Sequence, residues 1–299
     1  MKADVRSHRN TNVNTSELRI PGAATPKRSG FASAAAAVLK RRFLAVIPLI
    51  IIWELGARLG ATGTALPAFS AVVETFLMGL FTLPGAGPYG GPGDVPILFY
   101  QAGSSLVRVG AGFGFAVLIG IPLGFAMGYF KTANSNLDPI VSTLRPIPPI
   151  AWIPLAILWF GLGMKPTIFI IFIGTLFPIV LNTQQGVRGA SRRLTEFALV
   201  LGASRAQILR KVIVYEAFPS VITGMRIGFG IGWMSVVAAE MIAAKSGLGY
   251  LIMTARWVFA TDMVLAGMLM IGLIGFGGDL LLRSVESRFM RWRAAMVVS

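Results

Sequence analysis

Residues Glu196–Pro219 run EFALVLGASRAQILRKVIVYEAFP and form a basic island between two long apolar segments. Apolar side chains recur at helical spacing before Gly202, and a second apolar stripe, opposite basic residues, follows it. Gly202 allows the left-handed turn that ends a helix, and Ser204 with Gln207 forms a capping box that starts another. The pattern predicts two short helices bent at Gly202. Such a pair is also typical of an amphipathic segment lying on a membrane surface.

The composition indicates an integral membrane protein. Of the 299 residues, 55% are hydrophobic and only 13% are charged, whereas soluble domains are about 25% charged. The chain has no cysteine, which excludes disulfides and thiolate sites, and its one histidine, His8, lies in a polar tail. We therefore expect neither a metal site nor a catalytic centre. The net charge of +15 would suggest nucleic acid in a soluble protein, but the distribution of the charge excludes that partner.

The apolar segments predict an all-α integral membrane protein with about six transmembrane helices. The predicted spans are Phe43–Leu59, Leu106–Phe130, Asp138–Phe160, Pro166–Gln184, Pro219–Ala244 and Met263–Leu282. Ala71–Phe81 is a candidate short amphipathic helix outside the spans.

Lysine and arginine are distributed very unevenly about these spans. With the N-terminus inside, twenty of them lie on the cytoplasmic side and four on the other side. Positive charge accumulates in cytoplasmic loops. We therefore expect both termini and the Glu196–Pro219 island to face the cytoplasm.

Proline and glycine mark special places within the spans. The third span carries five prolines, which favours a bent or discontinuous helix, either lining a pore or kinked without contact to solute. Small residues recur every fourth position in the second span (Gly112, Ala116, Gly120, Gly124 and Gly128), and glycine stripes mark the fifth and sixth spans. Such stripes allow close helix packing, which we expect inside one subunit rather than at a dimer seam.

Polar and aromatic residues at or within the spans are candidates for a substrate path, because charge inside a membrane is costly. They are Arg108, Arg145, Trp152, Asn182, Gln184, Arg226 and Glu240. The arginines could instead extend to an aqueous face, Glu240 and Asp279 could be paired or lie at a rim, and the amides near Asn182 could bond neighbouring helices.

The island resembles the "EAA" loop of ABC importer permeases, with Glu196, Ala198, Gly202, Ile208 and Pro219 at the family's spacing. It departs from the pattern at Phe197, where alanine is usual, and at Val214-Tyr215, where Leu-Pro is usual. In that family the loop is the coupling helix that docks on an ATPase. The resemblance implies that the coupling residues are Glu196, Phe197, Ala198, Gly202, Ala203, Ser204, Ile208 and Pro219.

Further motifs are similar to the nitrate/taurine/alkanesulfonate branch of these type I permeases. They are RPIPPIAWIPL at 145–155, LWFGLG at 158–163, GTLFPIVLNT at 174–183, VAAEM at 237–241 and SGLGY at 246–250. The resemblance implies a pore for a small anionic solute formed with a second permease copy. It also implies two ATPase subunits and a periplasmic or lipid-anchored binding protein as partners. ATP and magnesium would bind the partner ATPase, since this sequence contains no P-loop motif.

The implied organisation is a multi-pass protein of the bacterial inner membrane. Residues 1–35 lie outside the resemblance, and their polar composition predicts a disordered basic cytoplasmic tail. Residues 36–100 would be the first transmembrane helix and a periplasmic loop, and 101–299 the ABC permease core, which contains five helices and the cytoplasmic coupling helices. A second hypothesis is an ion-gradient-driven transporter or channel without an ATPase, whose coupling carboxylates could be Glu240 and Asp279. A membrane-embedded enzyme would need a paired catalytic constellation, which the sequence lacks.

Overall fold

The computed structural model describes residues 47–60, 66–81 and 94–289, with side chains up to residue 287. Within these ranges all regular structure is helical, which confirms the all-α class. The helices are α1 (47–58), α2 (Phe69–Phe81), α3 (Ile97–Tyr129), α4 (Lys131–Leu144), α5 (Ile153–Phe160), α6 (Met164–Arg188), α7 (Arg192–Val200), α8 (Arg205–Ile208), α9 (Val214–Ala243), α10 (Leu248–Trp257) and α11 (Thr261–Phe289). A 3₁₀ turn, Pro149–Trp152, precedes α5, and a π turn, Leu209–Ile213, joins α8 to α9.

The chain divides into two compact units, Met1–Ile52 and Trp53–Ser299. The described residues of the first unit, 47–52, are helical, and α2 to α11 belong to the second unit. The predicted tail, 1–35, and most of the predicted loop before Pro96 lie outside the described residues.

Four described helices are long and apolar enough to cross a membrane: Ile97–Tyr129, Met164–Arg188, Arg205–Ala243 and Thr261–Ser287. The pair Lys131–Leu144 and Pro149–Phe160, bent by 87°, makes a fifth if it is counted as one span. These five correspond to the last five predicted spans. The first predicted span, Phe43–Leu59, is described only from residue 47 onward.

The bend confirms the prediction of a broken third span. Pro148 has the extended backbone angles φ −58° and ψ 139°, and the two helices end and begin on either side of it. Proline removes a backbone donor and disfavours helix in the residue before it, so the run of prolines that starts at Pro146 separates α4 from α5.

The prediction of a short second helix in the island was wrong. From Arg205 the helix continues through the π turn to Ala243 as one element of 39 residues. Pro219 therefore lies inside a helix rather than at the start of a span. An internal proline removes only one bond of the helical ladder, and buried apolar residues continue from Ile208 through Ile213 and Ala217 into the membrane segment.

Glycine stripes allow α6 to lie closely between α3 and α9. On α3, Cβ atoms added at Gly112 and Gly120 would meet Ile171 and Ile179 of α6 at 2.7 and 3.1 Å. On α9, an added Cβ at Gly228 would meet Thr175 of α6 at 3.0 Å. Both stripes therefore pack within the subunit, as predicted, and the glycines make room for side chains of α6 at its contacts with α3 and α9.

Candidate translocation cavity and coupling element

A cavity of about 360 Å³ opens beside the break that follows α4. Its walls come from the end of α4, the proline-rich turn, α6 and α9. The lining residues are Arg145, Ile147, Pro149, Ile173, Gly174, Phe177, Pro178, Leu181, Asn182, Gln185, Ile227 and Ile231. Gly174 lets the broken segment approach α6, because a Cβ there would lie 3.0 Å from the Pro149 ring. The break thus forms one wall of a recess between spans.

Three polar side chains interrupt the otherwise apolar lining: Arg145, Asn182 and Gln185. The amide nitrogen of Asn182 donates to the Pro178 carbonyl at 2.8 Å, which fixes the orientation of that side chain. Arg145 and Gln185 are exposed. Among the described residues, Arg145 takes part in none of the ion pairs, so its guanidinium is available to a ligand.

Two of the predicted path residues, Arg108 and Glu240, pair with each other away from this cavity. The guanidinium of Arg108 lies 2.7 Å from the carboxylate of Glu240, and both side chains are buried. Ser105 also donates to Glu240, at 2.8 Å. This pair links α3 to the end of α9 and explains how two charges are accommodated within the apolar bundle.

The polar side chains around Arg108 and Glu240 also cap the start of α10. The backbone N–H of Gly247 donates to Gln101, that of Leu248 to Ser105 at 2.9 Å, and that of Gly249 to Glu240 at 3.0 Å. The first N–H groups of a helix have no partner within the helix, and here side chains of α3 and α9 supply the acceptors. The buried polar cluster therefore fixes α10 against two spans.

Other predicted path residues also contact neighbouring helices. Arg226 lies 2.8 Å from Asp279 of α11, so the expectation that Asp279 could be paired is confirmed. The Gln184 amide donates to Asn134 at 2.6 Å. Trp152 packs edge-on against Phe169, and its indole N–H is buried without a hydrogen-bond partner among the described residues.

Of the seven predicted path residues, Arg145 and Asn182 line the cavity. Gln185 belongs to the predicted amide cluster near Asn182 but is not one of the seven; it lies beside them in the cavity wall, while its neighbour Gln184 points into the packing between helices. The helical period could have identified it, since residue i+3 shares a face with residue i and residue i+2 does not.

The turn of the island has the predicted geometry. Gly202 has φ +78°, and the backbone N–H of Ala203 donates to the Ala198 carbonyl at 3.0 Å. Ser204 and Gln207 form both hydrogen bonds of the capping box. The bend between α7 and α8 is therefore specified by local sequence.

The predicted coupling residues divide into a packed set and an exposed set. Ala198, Ala203 and Ile208 pack in one cluster with Val187 of α6 and with residues of α3. Phe197 is 63% exposed, and Glu196 forms a surface ion pair with Arg192. Small residues let this segment lie close to the spans, while the side chains of Phe197 and Glu196 remain accessible from solvent.

The profile of the family described as "Binding-protein-dependent transport system inner membrane component" matches residues 116–291. The chain belongs to this family. The permease is 40% identical over 226 residues to the taurine transport system permease protein TauC of Escherichia coli, covering 76% of this chain and 81% of that protein. It is 44% identical over 248 residues to a candidate ABC transporter permease protein of Methanocaldococcus jannaschii, covering 83% and 90%.

The fold of the permease is similar to a chain of the MetNI methionine ABC transporter in an inward-facing conformation. The TM-score is 0.50 at 23% identity, covering 61% of this chain and 93% of that one. Membership of the family identifies the chain as a multi-pass inner membrane subunit of an ABC transporter.

Proposed function

We propose that the permease, paired with a second copy, forms the path of an ATP-driven importer for a small anionic solute of the alkanesulfonate, taurine or nitrate type. The observation that carries the proposal is one continuous helix, Arg205–Ala243. It begins in the island Glu196–Pro219, hereafter the coupling element, and contributes Ile227 and Ile231 to the cavity wall. A displacement of the coupling element would therefore move that wall, because packed helices shift as rigid bodies.

The cavity chemistry suits an amphiphilic oxyanion. Arg145 offers a planar guanidinium that can bind two oxygens of a sulfonate or nitrate, and Gln185 offers an amide donor. The remaining lining is mainly apolar and can accommodate a short carbon chain. The cavity opens at the protomer surface, so a second copy would complete the enclosure.

The proposed role as part of an ATP-driven importer also implies its partners. Two ATPase subunits would bind the exposed side of Glu196–Pro219 and supply ATP and magnesium, and this chain would bind no cofactor of its own. A periplasmic or lipid-anchored binding protein would deliver the solute to the opposite face. The termini and the coupling element would lie in the cytoplasm, where the excess of basic side chains is expected.

The charges of the membrane segments favour this function over a gradient-driven transporter. Such a carrier needs a carboxylate that can bind and release an ion. Both candidates, Glu240 and Asp279, are engaged in ion pairs with Arg108 and Arg226. Neither is available for ion coupling in this conformation.

Reconstituted vesicles test the proposal directly. The permease, its ATPase and its binding protein are placed in proteoliposomes, and uptake of labelled taurine, an alkanesulfonate and nitrate is measured with ATP inside. Uptake that requires ATP and survives collapse of the proton and sodium gradients is expected. Gradient-driven uptake without the ATPase would overturn the proposal in favour of a secondary transporter.

A further inference from the structure

The start of α7 is bound to the start of α9 through Glu216. Its carboxylate accepts a hydrogen bond from the backbone N–H of Ser191, with 2.5 Å between nitrogen and oxygen. Ser191 is also the residue that caps α7, since its hydroxyl accepts from the N–H of Leu194. The contact joins residues 25 positions apart. Glu216 therefore links the two ends of the segment 191–216, which contains α7 and α8.

Helix α7 has few other attachments to the membrane spans. None of its residues is buried, and Val200 is 85% exposed. Helix α7 contributes only Ala198 to the apolar cluster that contains Val187 and Ile208. Three residues, 189–191, connect it to α6. The hydrogen bond to Glu216 is thus a large part of what fixes the N-terminal end of α7.

We propose that Glu216 is a positioning residue for coupling, which makes α7 and the cavity-lining helix α9 move together. The inference rests on the proposed function, since it concerns how motion of an ATPase reaches the cavity. With the carboxylate present, α7 cannot tilt without carrying the first turn of α9. Without it, α7 can follow the docked ATPase while α9 remains in place, and hydrolysis would proceed without matching transport.

Four variants separate this role from a general effect on folding. Glu216→Ala removes the acceptor, and Glu216→Gln retains a carbonyl oxygen at the same place. Ser191→Pro removes the N–H donor, and the φ of −60° at Ser191 already matches proline. Ser191→Ala is the matched control, because it keeps the N–H and loses only the side-chain cap. Each variant is tested in the full complex in proteoliposomes, with the parent protein alongside.

The measured quantity is the number of solute molecules imported per ATP hydrolysed, which does not depend on how much protein folds. Glu216→Ala and Ser191→Pro should both lower this ratio, by about tenfold or more, the factor that corresponds to one hydrogen bond to a charged group. Glu216→Gln and Ser191→Ala should remain close to the parent, and the double variant Glu216→Ala with Ser191→Pro should be no worse than either single variant.

An unchanged ratio in Glu216→Ala would overturn the inference, as would equal losses in Ser191→Ala and Ser191→Pro. Both outcomes are distinct from failure of the proposed function. If the parent permease neither retains an ATPase nor requires ATP for uptake, the proposed function itself fails. If the parent is coupled and Glu216→Ala is equally coupled, only the role of Glu216 is rejected.

Discussion

The guanidinium of Arg108 on α3 and the carboxylate of Glu240 on α9 form an ion pair that is almost fully enclosed by protein. Both residues were candidates for a substrate path because a charge within a membrane span is costly. Each charge compensates the other, and the Glu240 carboxylate also accepts a hydrogen bond from the backbone N–H of Gly249 at the start of α10. The pair therefore secures three helices, which gives it a structural role separate from the cavity at Arg145.

Neutralising one member of this pair should destabilise the fold. Glu240→Gln or Arg108→Gln leaves an uncompensated buried group, which typically costs about 3–5 kcal/mol. The double variant should cost less than the sum of the single variants, since it leaves no unpaired charge. Unfolding of the detergent-purified protein on heating measures the effect. A Glu240→Gln protein that keeps the parent stability but loses uptake would place Glu240 in the substrate path instead.

Arg145 should contribute directly to solute binding. Arg145→Gln removes the cationic group of the cavity, and loss of a hydrogen bond to a charged partner, about 1.5–3 kcal/mol, should raise the KM for a sulfonate at least about tenfold. Initial rates of uptake across a range of solute concentrations measure this change.

Arg226→Gln is the matched control for Arg145→Gln. Arg226 is held by Asp279 and Glu286 of α11 and does not line the cavity, so its replacement should leave the KM for solute within about twofold, a change of less than 0.5 kcal/mol. Equal, unchanged KM values in both variants would exclude both arginines from solute binding.

The orientation of the chain can be tested with single cysteines, because the natural sequence has none. Ser204→Cys lies in the coupling element and Lys245→Cys in the exposed turn after α9. With the coupling element in the cytoplasm, a membrane-impermeant maleimide should label Lys245→Cys in intact cells. It should label Ser204→Cys only after permeabilisation. The reverse pattern would show that the orientation derived from basic residues is wrong.

The features that sequence predicts well here are determined by residues close together in the chain. The capping box at Ser204, the left-handed turn at Gly202 and the break at Pro148 each depend on a few adjacent residues. The pairing of Arg108 with Glu240 depends on which faces of α3 and α9 meet. The free-energy cost of burying one charged residue in a span indicates that the residue needs a partner, but it does not identify the partner.

Continuity of a helix was the other point where local signals misled. Pro219 was predicted to start the fifth span, Pro219–Ala244, and to end the island. In the structure the apolar face of α8 continues through the π turn, and burial against α6 stabilises the helix on both sides of the proline. Tertiary packing therefore outweighed a local helix-breaking signal.

The close approach of α3 to α6 should make Gly124 sensitive to substitution. An added Cβ would clash with the Val180 carbonyl and lie 2.7 Å from Thr183. Gly124→Ala should therefore destabilise the bundle by about 1–3 kcal/mol, as overpacking does. The control is Gly110→Ala on the same helix, where nothing lies within 4 Å and alanine should be neutral or stabilising. Equal unfolding temperatures for the two variants would contradict the tight packing of α3 on α6.

Gly202 should be needed for the bend between α7 and α8, and thereby for docking of the ATPase. An added Cβ would meet nothing within 4 Å, so the cost of a side chain comes from the backbone angle of +78° alone. A residue with a Cβ adopts this region at a cost of about 1–2 kcal/mol, and a β-branched residue fits it least well. Gly202→Val should therefore weaken the hydrogen bonds at Leu199 and Ala198 that close the turn and displace the exposed face of α7.

The expected result for Gly202→Val is normal membrane insertion, weak retention of the ATPase on purification and loss of ATP-driven uptake. Gly202→Asn is the matched control, because asparagine adopts left-handed angles more readily than other residues with a Cβ. Asparagine should therefore preserve the turn and most of the ATPase binding. Co-purification of the ATPase with each variant, normalised to the permease, measures the difference. If the valine variant holds its ATPase as firmly as the asparagine variant, the turn at Gly202 does not position the coupling surface.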